Sequence, residues 1–211
     1  MISYLNPEIL KFIDQSSIKT ILELGARGGD EAVDLANHYK DAMVHTVECN
    51  PYILSRARST VKDSPRVRLH EIAVSDIEEE VNFYPINDAN PGASSFLKPI
   101  PGTLGNDCRL LEPITLKTIR LDQYLKQNQI TDVDMICADI QGYELKAFTG
   151  MGEYFNKVKY VITEMPIANE TYFNAPNKDI FLQFMVKNNF IPNVAVRENV
   201  FEINVLFQRN G

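Results

Sequence analysis

Short apolar runs and longer amphipathic stretches take turns along the chain. The runs at 20–24 (TILEL), 44–48 (VHTVE), 67–74 (VRLHEIAV), 115–121 (TLKTIRL), 133–140 (VDMICADI) and 159–165 (KYVITEM) have the length and residue types of strands. A further run at 80–86 (EVNFYPI) predicts an added strand. Helical spacing lies between them. Asn6 and Pro7 form an N-cap with proline at the first helical position, and Ile9, Leu10 and Ile13 carry the stripe to about Gln15. Asp30 caps a helix bearing Val33, Leu35 and Ala36; Asn50 and Pro51 start another that runs to about Lys62. Asp122 caps a short helix, and helical patterns follow at 143–151 and 178–189. The runs IPNVAV and VFEINVLFQ, joined by RENV, predict a β-hairpin.

Strands alternating with helices predict an α/β fold: a mostly parallel seven-stranded sheet, helices on both faces, and a C-terminal antiparallel β-hairpin. This is the layout of a Rossmann-like methyltransferase sheet. The 211 residues fill one such domain, with 1–18 as a helical lead-in and no internal repeat. From 87 to 112 the periodicity dissolves into NDANPGASSFLKPIPGTLGNDCRLLE, rich in proline and glycine. Structureless stretches that long inside a domain are usually binding loops, lids or disordered segments, and a mobile surface loop is the plain alternative. Ser94, Ser95 and Phe96 make this one a candidate lid or acceptor loop.

Composition narrows the function. A net charge of −7 argues against sequence-independent binding of nucleic acid, which relies on Lys and Arg neutralising phosphates. Cys49, Cys108 and Cys137 are odd in number and far apart, so neither a disulfide framework nor a thiolate zinc site is expected. His38, His45 and His70 lack metal-ligand spacing, and His70, inside a predicted strand, is read as structural. No stretch has the length of a membrane span and no signal peptide is recognisable, so a cytoplasmic setting is the default.

The stretch KTILELGARGGDEAVDLA raises the question of a cofactor. A dinucleotide fold wants Gly-x-Gly-x-x-Gly, whose second glycine lets the backbone approach a pyrophosphate. Arg27 stands at that position, which disfavours a nicotinamide-dependent reductase. No Lys-Ser/Thr follows the glycines, which excludes a P-loop. What stands is Glu23-x-Gly25-x-x-x-Gly29, and the acid before the turn suits a ligand of positive charge. S-adenosylmethionine carries a sulfonium and an ammonium and no phosphate. Glu48, at the end of the second strand, is placed to accept hydrogen bonds from ribose hydroxyls.

The segment ADIQGYELKAFTGM puts Asp139 at the C-terminal end of an apolar strand, where open α/β sheets bind ligands. An Asp that merely satisfies backbone N–H groups of its turn is the plain alternative. With ILELGARGG, VECNPY, AVSD, GASSF and TIRLDQYL in the same order, the chain resembles the FkbM family of methyltransferases over about residues 20–165. The resemblance implies S-adenosylmethionine as methyl donor and a hydroxyl acceptor on a sugar or other small molecule or glycan. It further implies that Glu23, Gly25 and Gly29 line the methionine portion and Glu48 the ribose, with Arg27 also counted among the cofactor-binding residues. Ala73, Val74, Ser75 and Asp76 would then flank the adenine, with Asp139 facing the methyl group. The family turn usually reads Asp-x-Glu-Gly; Gln141 replaces the glutamate here.

Methyl transfer to a hydroxyl needs alignment and a place for the proton. Asp139 and Glu164 are the candidate catalytic carboxylates. No metal site is expected, although these two with water would suit Mg²⁺. A methyltransferase-like binding module without catalysis is the non-enzymatic alternative.

Overall fold

Period-two alternation divides the strand side chains between two cores. The computed structural model describes residues 3–166, 171–197 and 202–210. In chain order the elements are α1 (Pro7–Leu10), β1 (Thr20–Leu24), α2 (Asp30–His38), β2 (Met43–Val47), α3 (Leu54–Val61), β3 (Val67–His70), β4 (Ala73–Ser75) and β5 (Glu80–Phe83). After them come β6 (Ile114–Arg120), α4 (Leu121–Gln127), β7 (Met135–Ala138), α5 (Glu144–Gly150), β8 (Tyr160–Pro166), α6 (Lys178–Lys187), β9 (Phe190–Arg197) and β10 (Glu202–Arg209). Ile21, Val44, Met135, Cys137 and Ile162 face a core closed by α1, α2 and α3. Leu22, Leu24, Ile136, Ala138 and Val161 face the opposite core, closed by α4, α5 and α6.

The main sheet has seven strands in the order β3-β2-β1-β7-β8-β10-β9. All pairs up to β8 are parallel, and β10 runs antiparallel between β8 and β9. That is the expected sheet with its terminal hairpin; residues 198–200 of the RENV connection lie outside the described residues.

Several boundaries differ from expectation, each for a local reason. The run 67–74 is not one strand: it breaks at Glu71, which turns out to pair with Arg58, and at Ile72. Beyond the break, β4 leaves the main sheet and joins a separate three-stranded sheet, β4-β6-β5. Asp30 is inside α2 rather than its cap; Gly29, at φ +83°, takes the cap position, and the Asp30 carboxylate pairs with Arg56. Asn50 does not start α3. Its Oδ1 accepts from the N–H of Tyr52 in a turn, and the helix begins at Leu54. Asp122 likewise lies within α4, paired with Arg120. The lead-in helix ends at Leu10, and a separate 3₁₀ turn follows, capped by Asp14.

Candidate functional site

The chain leaves β1 for β2 on one side and later fills the other side with β7, so the crevice between loops opens at the C-terminal ends of β1 and β7. Open α/β sheets bind ligands at such a reversal of strand order. Gly25, at φ +94°, makes the turn there: a Cβ at this position would come within 2.1 Å of the Asp139 carbonyl oxygen. Its N–H and that of Ala26 donate to the carbonyl of Val47, binding the turn to the end of β2. Gly29 serves a different contact, the close packing of α2 on Ala57 and Val61 of α3.

A cavity opens above this turn. Gly25, Arg27, Glu31, Glu48, Asn50 and Asp139 line it with polar groups, and Ile53, Ile72, Val74, Phe83, Phe96 and Tyr143 with apolar ones. Glu48 is nearly buried. Its Oε1 accepts from the N–H groups of Cys49 and Asn50, and its Oε2 from that of Arg27, each at 2.8 Å. A carboxylate has about four acceptor sites, so capacity for one further donor is left. Burial raises the Glu48 pKa, and the backbone donors oppose the rise.

Glu23 is elsewhere. Alternation puts it on the same face as Ile21, opposite Thr46 in the sheet register, fully buried and off the cavity wall. Thr46 Oγ1 donates to its Oε2, while Oε1 is buried without a hydrogen-bond partner. Burial pushes its pKa up to about 8, and the carboxylates of Glu31, Glu48 and Asp139 add to the rise. Of the 73–76 group only Val74 lines this cavity. Ser75 is held by Asp76 and Tyr143, and Asp76 faces Lys146. Their displacement follows from the break at Ile72, which puts that side chain, rather than Ala73, on the wall.

The second carboxylate turn is built tightly. Gln141 and Gly142 have φ of +55° and +91°, and the buried Glu144 carboxyl accepts from the N–H groups of Ile140 and Gly142 at 3.0 and 3.4 Å. Burial pushes the Glu144 pKa up to about 7. Beside this turn lies a second, more open cavity. Arg27, Asn90, Gly92, Asp139, Gln141, Glu164 and Tyr172 line it, with residues 102–105 at its edge. Arg27, Gly92 and Asp139 belong to both cavities.

The 87–112 stretch is docked across both. Ser94 Oγ accepts from the Ile86 N–H and from Asn50 Nδ2, and Ser95 Oγ donates to the Gln141 carbonyl. Both hydroxyls therefore tie the loop to the scaffold. Phe96 packs between Phe83, edge to face, and Tyr143, tilted, at centroid distances of 5.2 and 5.0 Å, and Arg27 Nη2 donates to Asn90 Oδ1. His70 joins none of this; it sits between His45 and Tyr124 at 2.9 Å from each.

The sequence reading missed Asn50, Ile72, Phe83 and Tyr143 as lining residues. Asn50 and Tyr143 lay inside the quoted motifs, whereas Ile72 and Phe83 carry no local signal beyond being apolar. The residues suit S-adenosylmethionine: the carboxylates of Glu31, Glu48 and Asp139 line one cavity with an apolar and aromatic wall of Ile53, Ile72, Val74, Phe83, Phe96 and Tyr143, and Glu48 keeps acceptor capacity for a further donor. Among the described residues, no group of three or more His, Cys, Asp or Glu is placed to hold a metal ion.

Sheet order, the reversed crevice and the antiparallel terminal strands together are those of the Rossmann-like fold of S-adenosylmethionine-dependent methyltransferases. A putative S-adenosylmethionine-dependent methyltransferase from Listeria monocytogenes shares it over 97% of both chains, at TM-score 0.55 and 14% identity. Aeropyrum pernix fibrillarin in complex with natively bound S-adenosyl-L-methionine shares it over 90% of this chain and 66% of that one, at TM-score 0.51 and 13% identity. At such identities the likeness concerns the fold. The Methyltransferase FkbM domain matches residues 23–192, and the chain belongs to that family. It is 28% identical over 150 residues to the 2-O-methyltransferase NoeI of Sinorhizobium fredii, a match covering 68% of this chain and 62% of NoeI. The chain thus spans less than two thirds of that relative's length.

Proposed function

We propose that the protein is an S-adenosylmethionine-dependent O-methyltransferase acting on a hydroxyl of a sugar or another polyhydroxylated small molecule or glycan. One observation carries the reading: Asp139 stands on the wall common to two cavities, one suited to the donor and one polar and open enough for an acceptor. NoeI, named a 2-O-methyltransferase, supports oxygen as the atom methylated.

In this reading S-adenosylmethionine supplies a methyl carbon already activated by its sulfonium leaving group. Glu48 holds the ribose through its remaining acceptor capacity, and Ile53, Ile72, Val74 and Phe83 take the apolar base. The carboxylates near Gly25 face the cationic end. Asp139 orients the acceptor hydroxyl behind the methyl group and takes its proton as the new C–O bond forms and the C–S bond breaks. The docked loop, with Phe96 as roof, excludes water from the reacting atoms.

The test is transfer of an isotope-labelled methyl group from the donor to a panel of mono- and oligosaccharides and small polyols. Label in a methyl ether bears the reading out. Donor binding without transfer to any acceptor, including extracts of the source cell, would favour a non-catalytic binding module. No helix among the described residues is long and apolar enough to cross a membrane.

A further inference from the structure

Gln141 stands where two carboxylates converge. Its Nε2 lies 2.6 Å from Asp139 Oδ1 and 3.2 Å from Glu164 Oε2, and Tyr172 Oη lies 2.8 Å from its Oε1. Ionised carboxylates only accept hydrogen bonds, so the NH₂ group faces them and the carbonyl oxygen faces the tyrosine hydroxyl. The side chain reaches this place from a left-handed backbone, φ +55°, a conformation disfavoured for any residue with a Cβ. Ser95 Oγ, donating to the Gln141 carbonyl at 2.9 Å, helps to hold it there. Disfavoured backbone that its surroundings over-determine clusters at functional sites.

Two carboxylates this close in a cleft need something between them: a proton, a cation or a hydrogen-bond donor. Here the donor is an amide. Its NH₂ occupies the place where a bridging ion would sit, and an NH₂ group cannot ligate a metal.

We propose that Gln141 is a positioning residue whose amide joins Asp139 to Glu164, so that the acceptor side of the cleft works without a bridging divalent cation. This rests on the methyl-transfer reading above. Gln141 then fixes the rotamer of Asp139, and with it the direction from which the acceptor proton is taken. Glu164 holds the other end of the amide, and the Tyr172 hydroxyl, shared with the Ala93 carbonyl at 2.7 Å, flanks its oxygen.

Two variants and a metal titration test this. Gln141→Glu replaces the donor by a third carboxylate; Gln141→Met keeps length and volume without polar atoms. Mn²⁺ binding, followed by electron paramagnetic resonance, requires neither acceptor nor turnover. The wild type is expected to bind no Mn²⁺ in the cleft and to transfer methyl groups equally well in EDTA. Gln141→Glu is expected to bind one Mn²⁺ per chain and to be active only with Mn²⁺ or Mg²⁺. Gln141→Met should keep the donor KM and lose kcat by roughly tenfold to a hundredfold, the worth of a hydrogen bond to a charged group.

Wild-type protein that binds Mn²⁺ and loses activity to EDTA would overturn the proposal. So would a Gln141→Glu protein with wild-type kcat in EDTA and no bound Mn²⁺. Melting curves show whether each variant folds; if Gln141→Glu does not, the wild-type metal arm and Gln141→Met still decide. Failure to bind S-adenosylmethionine would instead sink the methyl-transfer reading, leaving the Mn²⁺ contrast to decide the role of the amide.

Discussion

Replacing Glu23 by glutamine should make the protein more stable relative to the wild type as pH rises. Glu23 is fully buried, and its pKa is pushed up to about 8 from an ordinary value of 4.5. The unfolded chain loses this proton near pH 4.5, while the folded chain keeps it until about pH 8. Between those values the folded state binds one more proton, so stability falls by about 1.4 kcal/mol for each pH unit of increase. At pH 7 the accumulated cost is about 3 kcal/mol. The amide side chain of the Glu23→Gln variant does not titrate, and the loss disappears. Any offset from the extra amide protons is independent of pH. In a domain of this size the difference amounts to about 6–12 °C in Tm, gained by the variant relative to wild type between about pH 4.5 and pH 7. Glu144, also raised by burial, contributes equally to both proteins and cancels in the comparison. Scanning calorimetry across this range reads the effect directly. Parallel Tm profiles for the two proteins would refute the reasoning and show that Glu23 is ionised in the folded state.

Other substitutions follow from the same geometry. Asp139→Asn should lower kcat by about a hundredfold or more through loss of the proton acceptor, with donor affinity and melting temperature little changed; wild-type turnover would make Asp139 a turn residue only. Gly25→Ala forces a Cβ against the Asp139 carbonyl from a left-handed backbone. It should cost more than about 2 kcal/mol in urea denaturation, and an unchanged midpoint would contradict the close approach described. The 88–110 loop, docked through Asn50, Tyr84 and Gln141, should become more resistant to limited proteolysis when donor is added. Cleavage at the same rate with and without donor would count against its covering the site.

The sheet was legible because its central strands, β1 and β7 above all, are short apolar runs buried on both faces and separated by helices whose stripes fit one face each. The run 67–74 misled because β3 and β4 look alike in periodicity; only the hydrogen bonds of β4 to β6 show that it belongs to another sheet. Cap residues were legible only where the polar side chain met its own helix. Asn6 does so, whereas Asp30 and Asp122 are drawn to nearby arginines. The positions of Glu48 and Asp139 on the cavity wall were readable from their places at strand ends. Glu23 was not, because one residue of alternation separates the cavity wall from the α2 core. The amide bridge of Gln141 was equally hidden: it joins residues 139, 141, 164 and 172, and no local pattern announces that they meet.

Calorimetric titration of the wild type and of Glu48→Ala with S-adenosylmethionine and with NADPH tests the central claim most directly. The expected result is one S-adenosylmethionine bound per wild-type chain, affinity weakened by about tenfold or more in Glu48→Ala, and no heat from NADPH. Binding of NADPH without S-adenosylmethionine, or equal donor affinity in both proteins, would contradict the site as described.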